Sequence, residues 1–256
     1  MPITTSISPS TTGAVAEVVV DVPPVNALTV AGWFDLAEQV RVAGENPAVT
    51  AVILRAEGKG FNAGVDIKEM QASEGFDALV GANRGCFAAF KAVYECQVPV
   101  VAAVQGFCLG GGVGLVGNAD VIVASDDATF GLPEVDRGAL GAATHLARLV
   151  PQHKMRAMVY LAETATAAEL HAFGSVYRVV PREGLRDAAV EVASAIAAKS
   201  PTVIRAAKES LNGIDLWDVN RSYRFEQGFT FELNLLGEGD RARDEFVQGP
   251  EQGNEG

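Results

Sequence analysis

Two glycine-rich stretches carry the first chemical signal, GKGFNAGVD from Gly58 to Asp66 and GFCLGGGVG from Gly106 to Gly114. Each follows an apolar run that reads as a strand, and each leads into a helical pattern. Glycine leaves backbone N–H groups open, and a helix N-terminus adds positive dipole. Two such loops side by side can therefore hold a carbonyl oxygen as it becomes negative. The same composition also suits a pair of tight, closely packed turns. A third pattern, Gly112-x-Gly114-x-x-Gly117, has the form of a dinucleotide-binding turn. That chemistry needs an acid roughly 20 residues further on to hold a ribose. Here Asp126 follows Gly112 by only 14 positions, too few for the intervening helix, and a nicotinamide site is rejected. Cys86, Cys96 and Cys108 form no CxxC pair and the three histidines are scattered, so no metal site is expected.

These loops need a frame of strands and helices. Ala14–Val22 (AVAEVVVDV) reads as a strand closed by Pro23-Pro24. A helix over Leu28 to Val42, with Thr29 as its N-cap, puts Leu28, Trp33, Leu36 and Val40 near one face. Val49–Glu57, Val98–Val104, Asp120–Ser125 and a short Val176–Val180 read as further strands, and Phe76 to Glu95 as a helix. The alternation predicts an α/β architecture whose strands are buried on both faces. Beyond about residue 184 only helical periodicity remains. Leu185, Ala188, Ala189, Val192, Ala195 and Ile196 share a face, Pro201 opens a second helix, and Phe225, Phe229, Leu233 and Leu236 line a third. Such an appendage is too small to be stable alone, so it is expected to pack on the core or on another subunit. Residues 251–256 are expected to fray.

The chain has 256 residues, 48% hydrophobic, with 32 acidic against 20 basic side chains and a net charge of −12. Disorder is excluded as its main state. An acidic surface argues against nucleic acid or an anionic membrane as partner. The opening MPITTSISPSTTG lacks the basic residues and apolar core of a secretory leader, and no apolar run approaches the length of a membrane span. A cytoplasmic, reducing compartment is the expectation.

Five segments in order, VNALT (25–29), GFNAGVDIKEM (60–70), VPVVAAVQGFCLGGG (98–112), NADVIVASDDATFGLPE (118–134) and the helical tail, resemble the crotonase (enoyl-CoA hydratase/isomerase) superfamily over nearly the whole chain. The resemblance implies a spiral of ββα turns over residues 1–190. It also implies a C-terminal helical region, 191–256, that covers the acyl pocket and builds trimers or dimers of trimers. Carried over position by position, it places two oxyanion-binding N–H groups at Val65 and Gly111. Asp66 is expected to cap its loop. Of the two glutamates that hydratases of this family use, one position is Gly114 here and the other is Glu134. With a single acid, concerted water addition across a double bond is disfavoured. Glu134 is then the expected base. Burial beside an acyl group would raise its pKa and suit it to that role near neutral pH.

Two further residues enter as candidates. His145 stands where relatives carry small residues, and as a neutral imidazole near a helix N-terminus it would donate or carry a proton, or else simply pack. Glu232, in the tail helix, would reach the acyl pocket or face solvent. Lys68 matches a family lysine near the CoA pyrophosphate, with Lys59 and Arg55 flanking the same loop and Ala63 in the CoA-binding stretch. The lysine-rich C-terminal helix of relatives is missing, which leaves Arg241 or Arg243 for the 3′-phosphate. Coenzyme A enters as part of the substrate, and no separate cofactor is implied.

Within the superfamily, FNAGVDIKEM, ANRGCFAAFKAVYEC and the FEQGFTFELNL tail are similar to the members that open a steroid-derived bicyclic CoA thioester by hydrolysing a carbon–carbon bond. A Δ3,Δ2-enoyl-CoA isomerase or a fatty-acid enoyl-CoA hydratase is the alternative enzyme. A CoA-ester-binding protein without turnover is the alternative outside catalysis.

Overall fold

The computed structural model describes residues 2–73, 75–239 and 241–242. Its first strand, β1 (Ile3–Pro9), is concealed by the polar opening of the sequence, because only Ile3 of its seven residues is buried. An edge strand in water needs no apolar run. It lies antiparallel to β2 (Ala14–Val20), which is buried throughout. Helix α1 (Val30–Glu45) follows, capped as expected by Thr29, whose side chain accepts the Gly32 N–H at 3.1 Å. Next come β3 (Val49–Ala56), the short α2 (Ile67–Ala72), the long α3 (Asp77–Tyr94) and β4 (Val100–Val104), with β2, β3 and β4 parallel neighbours.

From β4 onward the chain alternates between two layers. β5 (Phe107–Leu109) leaves for a small second sheet, α4 (Gly111–Val116) carries the chain back, and β6 (Val121–Ser125) rejoins the main sheet beside β4. β7 (Thr129–Gly131) then pairs parallel with β5. A parallel bridge between Asn62 and Cys108 adds the loop after β3 to the same second layer. Each turn thus gives one stretch to each layer before its helix, the ββα spiral that the family resemblance implies. After α5 (Ala143–Leu146) and α6 (Gln152–Leu161), β8 (Thr164–Thr166) extends the small sheet antiparallel to β7. α7 (Ala167–Ala172) and β9 (Arg178–Val180) complete the main sheet in the order β1-β2-β3-β4-β6-β9.

The alternation of side chains along β3 divides the core. Val52 and Leu54 point to the α1 and α3 side, with Leu36, Val40 and Phe90, whereas Ala51 and Ile53 meet Ala189 and Ala193 of α8 (Leu185–Ala197). Burial on both faces is why these strands read as continuous apolar runs. It also moves the expected division after residue 190, which falls inside α8, a helix that closes the back of the main sheet.

The last two helices are built the other way round. In α9 (Pro201–Gly213) the inward residues are polar: Arg205 donates to the carbonyls of Gly44 and Val49, and Lys208, only 3% exposed, holds both Asp120 oxygens at 2.8 Å. In α10 (Val219–Leu235) the buried side is Tyr223, Gln227, Thr230 and Asn234. The apolar stripe predicted from periodicity exists, but Phe225, Phe229 and Leu236 of it face away from their own chain. Among the described residues no helix is long and apolar enough to cross a membrane.

Removing the cation of the Lys208–Asp120 pair leaves a carboxylate that is only 23% exposed without its partner. Lys208→Met is therefore expected to lower the unfolding free energy by about 2 kcal/mol, read from urea titrations, while leaving the sheet intact.

Candidate active site

The segment 25–29 laces the first glycine loop in place. Asn26 donates through Nδ2 to the Glu57 and Gly60 carbonyls at 2.7 and 2.9 Å, and its Oδ1 accepts the Val22 N–H. Asn62 donates to the Asn26 carbonyl and accepts the Gly64 N–H at 2.8 Å. Leu28 then bonds on both sides of Val65, donating to the Gly64 carbonyl and accepting the Asp66 N–H, each at 2.9 Å. In such a parallel bridge the N–H of the middle residue points the other way. The Val65 N–H therefore faces the cavity, and among the described residues it has no partner. Asp66 caps α2, accepting the Lys68 and Glu69 N–H groups, as its sequence position implies.

The second loop comes up against the first. Gly110 has φ +54° and donates to the Gly131 carbonyl, which leaves the N–H of Gly111, first residue of α4, without a partner among the described residues. The two backbones nearly touch: a Cβ at Gly64, whose φ is +89°, would sit 3.4 Å from the Gly111 nitrogen. Glycine is required here by the handedness of the backbone. Both N–H groups border one cavity of about 200 Å³, walled by Ala63, Met70, Leu79, Cys86 and Phe90, with Tyr223 and Asn234 from α10 closing it.

Glu134 stands in a 3₁₀ turn, Pro133–Arg137, directly after β7. Its Oε1 lies 2.5 Å from where a Gly110 Cβ would be, so the carboxyl leans on the loop that carries the Gly111 N–H. Oε2 is shielded from solvent and has no hydrogen-bond partner among the described residues. Burial pushes its pKa up to about 8, with the Glu226 carboxylate adding to the rise and Arg137 opposing it. A carboxyl in this state can both take and give a proton near neutral pH.

The position of the missing second acid is closed by packing. A Cβ at Gly114 would fall 2.1 Å from the Phe90 ring, which fills that space from α3. Gly112 and Gly117 are crowded as well, by the Asn62 carbonyl at 2.8 Å and by the His145 carbonyl at 2.6 Å from a Cβ placed there. All three glycines of the dinucleotide-like pattern thus serve close approach within the chain. His145 is 1% exposed, wedged between Phe90 and Tyr223 at centroid distances of 5.0 and 4.8 Å. It stands behind two cavity-lining rings and does not itself line the cavity. Burial, with Arg148 nearby, drives its pKa down to about 3, which keeps the imidazole neutral.

Other expected residues divide. Lys59 and Lys68 are exposed, and Ala63 lines the cavity. Arg55 is held by Glu17 at 2.9 Å and Glu57 at 2.5 Å, which take up its guanidinium. Arg241 is exposed and paired with Glu238, while Arg243 lies outside the described residues, as do residues 251–256. Glu232 is exposed on α10 and lines neither the cavity nor its neighbour. It sits seven residues after Phe225, two helical turns on, and so shares that outward face. The acid that α10 does turn inward is Glu226, which sequence reading passed over. Arg182 was also missed: it donates to the Gly58 and Lys59 carbonyls at 2.7 and 2.9 Å and so shapes the loop that bears Lys59.

The Gly114–Phe90 contact yields a stability test. Gly114→Ala is expected to cost about 3 kcal/mol by overpacking, and Phe90→Leu in the same chain is expected to restore part of it, as a double-mutant cycle in denaturant would read.

Comparison with known proteins matches this geometry. The enoyl-CoA hydratase/isomerase family model covers residues 10–229. Two curated relatives, both called (7aS)-7a-methyl-1,5-dioxo-2,3,5,6,7,7a-hexahydro-1H-indene-carboxyl-CoA hydrolase, are highly similar. The one from Rhodococcus jostii is 69% identical over 91% of each chain, and the one from Mycobacterium tuberculosis 68% identical over 97% of this chain and 99% of its own. A crystal structure of an enoyl-CoA hydratase/isomerase from Xanthobacter autotrophicus superposes with a TM-score of 0.83 at 28% identity, over 97% of this chain and 92% of that one. With its spiral, its two glycine loops and these relatives in agreement, the chain belongs to the enoyl-CoA hydratase/isomerase, or crotonase, family.

Proposed function

We propose that this chain is a hydrolase that opens the five-membered ring of a methyl-hexahydroindene-dione carboxyl-CoA thioester, a bicycle that keeps the C and D rings of a steroid. The observation that carries this reading is the 68–69% identity to two hydrolases so named, over more than nine-tenths of each chain. The site supports it, with a buried carboxyl whose Oε2 has no partner among the described residues, two N–H groups likewise without partners among them, and the place of a second acid filled by Phe90.

In this reading Glu134, as carboxylate, takes a proton from water, whose oxygen adds to the ring ketone. The bond from that carbon to the methyl-bearing ring carbon then breaks, and the former ketone becomes a carboxylic acid. The electron pair released runs through the ring alkene to the thioester oxygen. There the Val65 and Gly111 N–H groups hold the resulting dienolate. Glu134 returns its proton to the methyl-bearing carbon, so substrate and one water give a carboxyethyl-cyclohexene carboxyl-CoA. The exposed Lys59 and Lys68, on the loop that carries Val65 and at the start of α2, suit the CoA phosphates. Three buried free thiols suit a reducing compartment. The outward apolar faces of α9 and α10 suit a homotrimer or a dimer of trimers.

Incubation with the bicyclic thioester in heavy-oxygen water is expected to give a product heavier by one water, with one heavy oxygen in the new carboxylate. A product of unchanged mass would instead indicate an isomerase, and bound but unaltered thioester a binding protein. Glu134→Gln is expected to reduce turnover at least about 100-fold while changing thioester affinity little, measured by initial rates and by calorimetry.

A further inference from the structure

A second carboxylate faces Glu134 from the tail. Glu226 lies one helical turn after Tyr223 on α10 and accepts three hydrogen bonds, from the Ala143 N–H at 2.8 Å, the Thr144 N–H at 3.1 Å and the Thr144 hydroxyl at 3.0 Å. The backbone it grips is strained. Ala142, immediately before these amides, is held at φ +61° and is buried in the cavity wall. Alanine does not hold this conformation without support. One residue pair further along, Thr230 accepts the Leu140 N–H and donates to the Leu140 carbonyl, which fastens the same wall without a charge.

Glu226 and Glu134 also border a common space. A chamber of about 740 Å³ on the far side of Glu134 is lined by both, with Leu140, Gly141 and Thr144 between them. The two carboxyls differ in their partners. Both oxygens of Glu226 meet N–H or O–H donors, so a proton there would point at another donor. Glu134 Oε2 meets none. Burial raises the Glu226 pKa as well, and its hydrogen bonds from Thr144 and Ala143 oppose that rise, so of the two buried acids Glu226 is the more readily ionised and Glu134 the one that keeps its proton longer.

We infer that Glu226 is a positioning residue of this site: its fixed carboxylate clamps the strained Ala142–Thr144 wall, and its charge keeps the proton on Glu134. The inference rests on the proposed role of Glu134 as the base but not on the identity of the substrate. The other groups that act on Glu134 are its own backbone N–H and Arg137 from its own turn, and both oppose the rise. The Cys86 thiol from α3 and the Tyr223 hydroxyl from α10 feel the Glu134 charge in their turn, and burial holds both in their neutral forms at neutral pH.

The test is an infrared titration of the substrate-free protein, with the protonated-carboxyl band of Glu134 assigned by its loss in Glu134→Gln. The wild-type band is expected to disappear with a midpoint near 8. In Glu226→Gln the midpoint is expected to fall by about one pH unit, which raises the ionised fraction at pH 7 about fivefold. Glu226→Asp keeps the charge and is expected to keep the midpoint. Should Glu226→Gln fail to fold, Glu226→Asp and Thr144→Val still bear on the inference, since loss of a donor to Glu226 is expected to change the midpoint while Thr230→Val leaves it in place. An unchanged midpoint in Glu226→Gln, or equal shifts in Glu226→Gln and Thr230→Val, would overturn the inference. The same variants assayed with the bicyclic thioester separate the two readings. A moved midpoint without ring opening rejects the proposed substrate alone, and ring opening with an unmoved midpoint rejects the role of Glu226 alone.

Discussion

Everything at this site depends on how closely two stretches of bare backbone can approach. Gly64 and Gly110 both adopt left-handed φ values, and a side chain at either would meet the opposing loop or Glu134. Because no side chain intervenes, the N–H groups of Val65 and Gly111 open onto the same small cavity. A negative oxygen can then be met by two fixed dipoles that need no rearrangement as charge develops. The asparagines at 26 and 62, the bridge at Leu28 and the cap at Asp66 all serve to hold that approach. The large parallel sheet beneath supplies the rigidity, since a core sealed on both faces cannot let the loops drift.

The tail helices follow a different rule. Most helices of a globular chain turn their apolar side to the core. Here α9 and α10 turn inward Arg205, Lys208, Gln227 and Thr230, and leave Phe225 and Leu211 outward. Beside the packing of Val219 and Tyr223, their attachment is by directed hydrogen bonds and the ion pair of the buried Lys208, which specify position more than they add stability. A wall of the reaction cavity held in this way is set in angle and register by individual side chains.

Much of this was legible in the residues. The long strands, α1 with its Thr29 cap, α3 and the two glycine loops follow from composition and periodicity, and the spiral follows from the order of the motifs. β1 escaped because only Ile3 of it is buried, and β5, β7 and β8 because three residues are too few to show a period. The pairing of Arg55 escaped since a cation near a loop says nothing of the two glutamates that fold back onto it. Glu232 was named, and Glu226 passed over, for a related reason. Both lie on one helix, and the phenylalanines beside Glu232 read as an inward face when their side of α10 is exposed. Only the tertiary arrangement decides which way such a helix turns.

The Phe90 ring over Gly114 has a consequence for descent as well as for packing. An acid at position 114 would need the room that the ring takes here, so positions 90 and 114 can only be exchanged together. Adding the acid alone would drive it into the ring, and trimming the ring alone would leave a void. Either single change is penalised, which makes the pair a coupled switch between two-acid and one-acid sites.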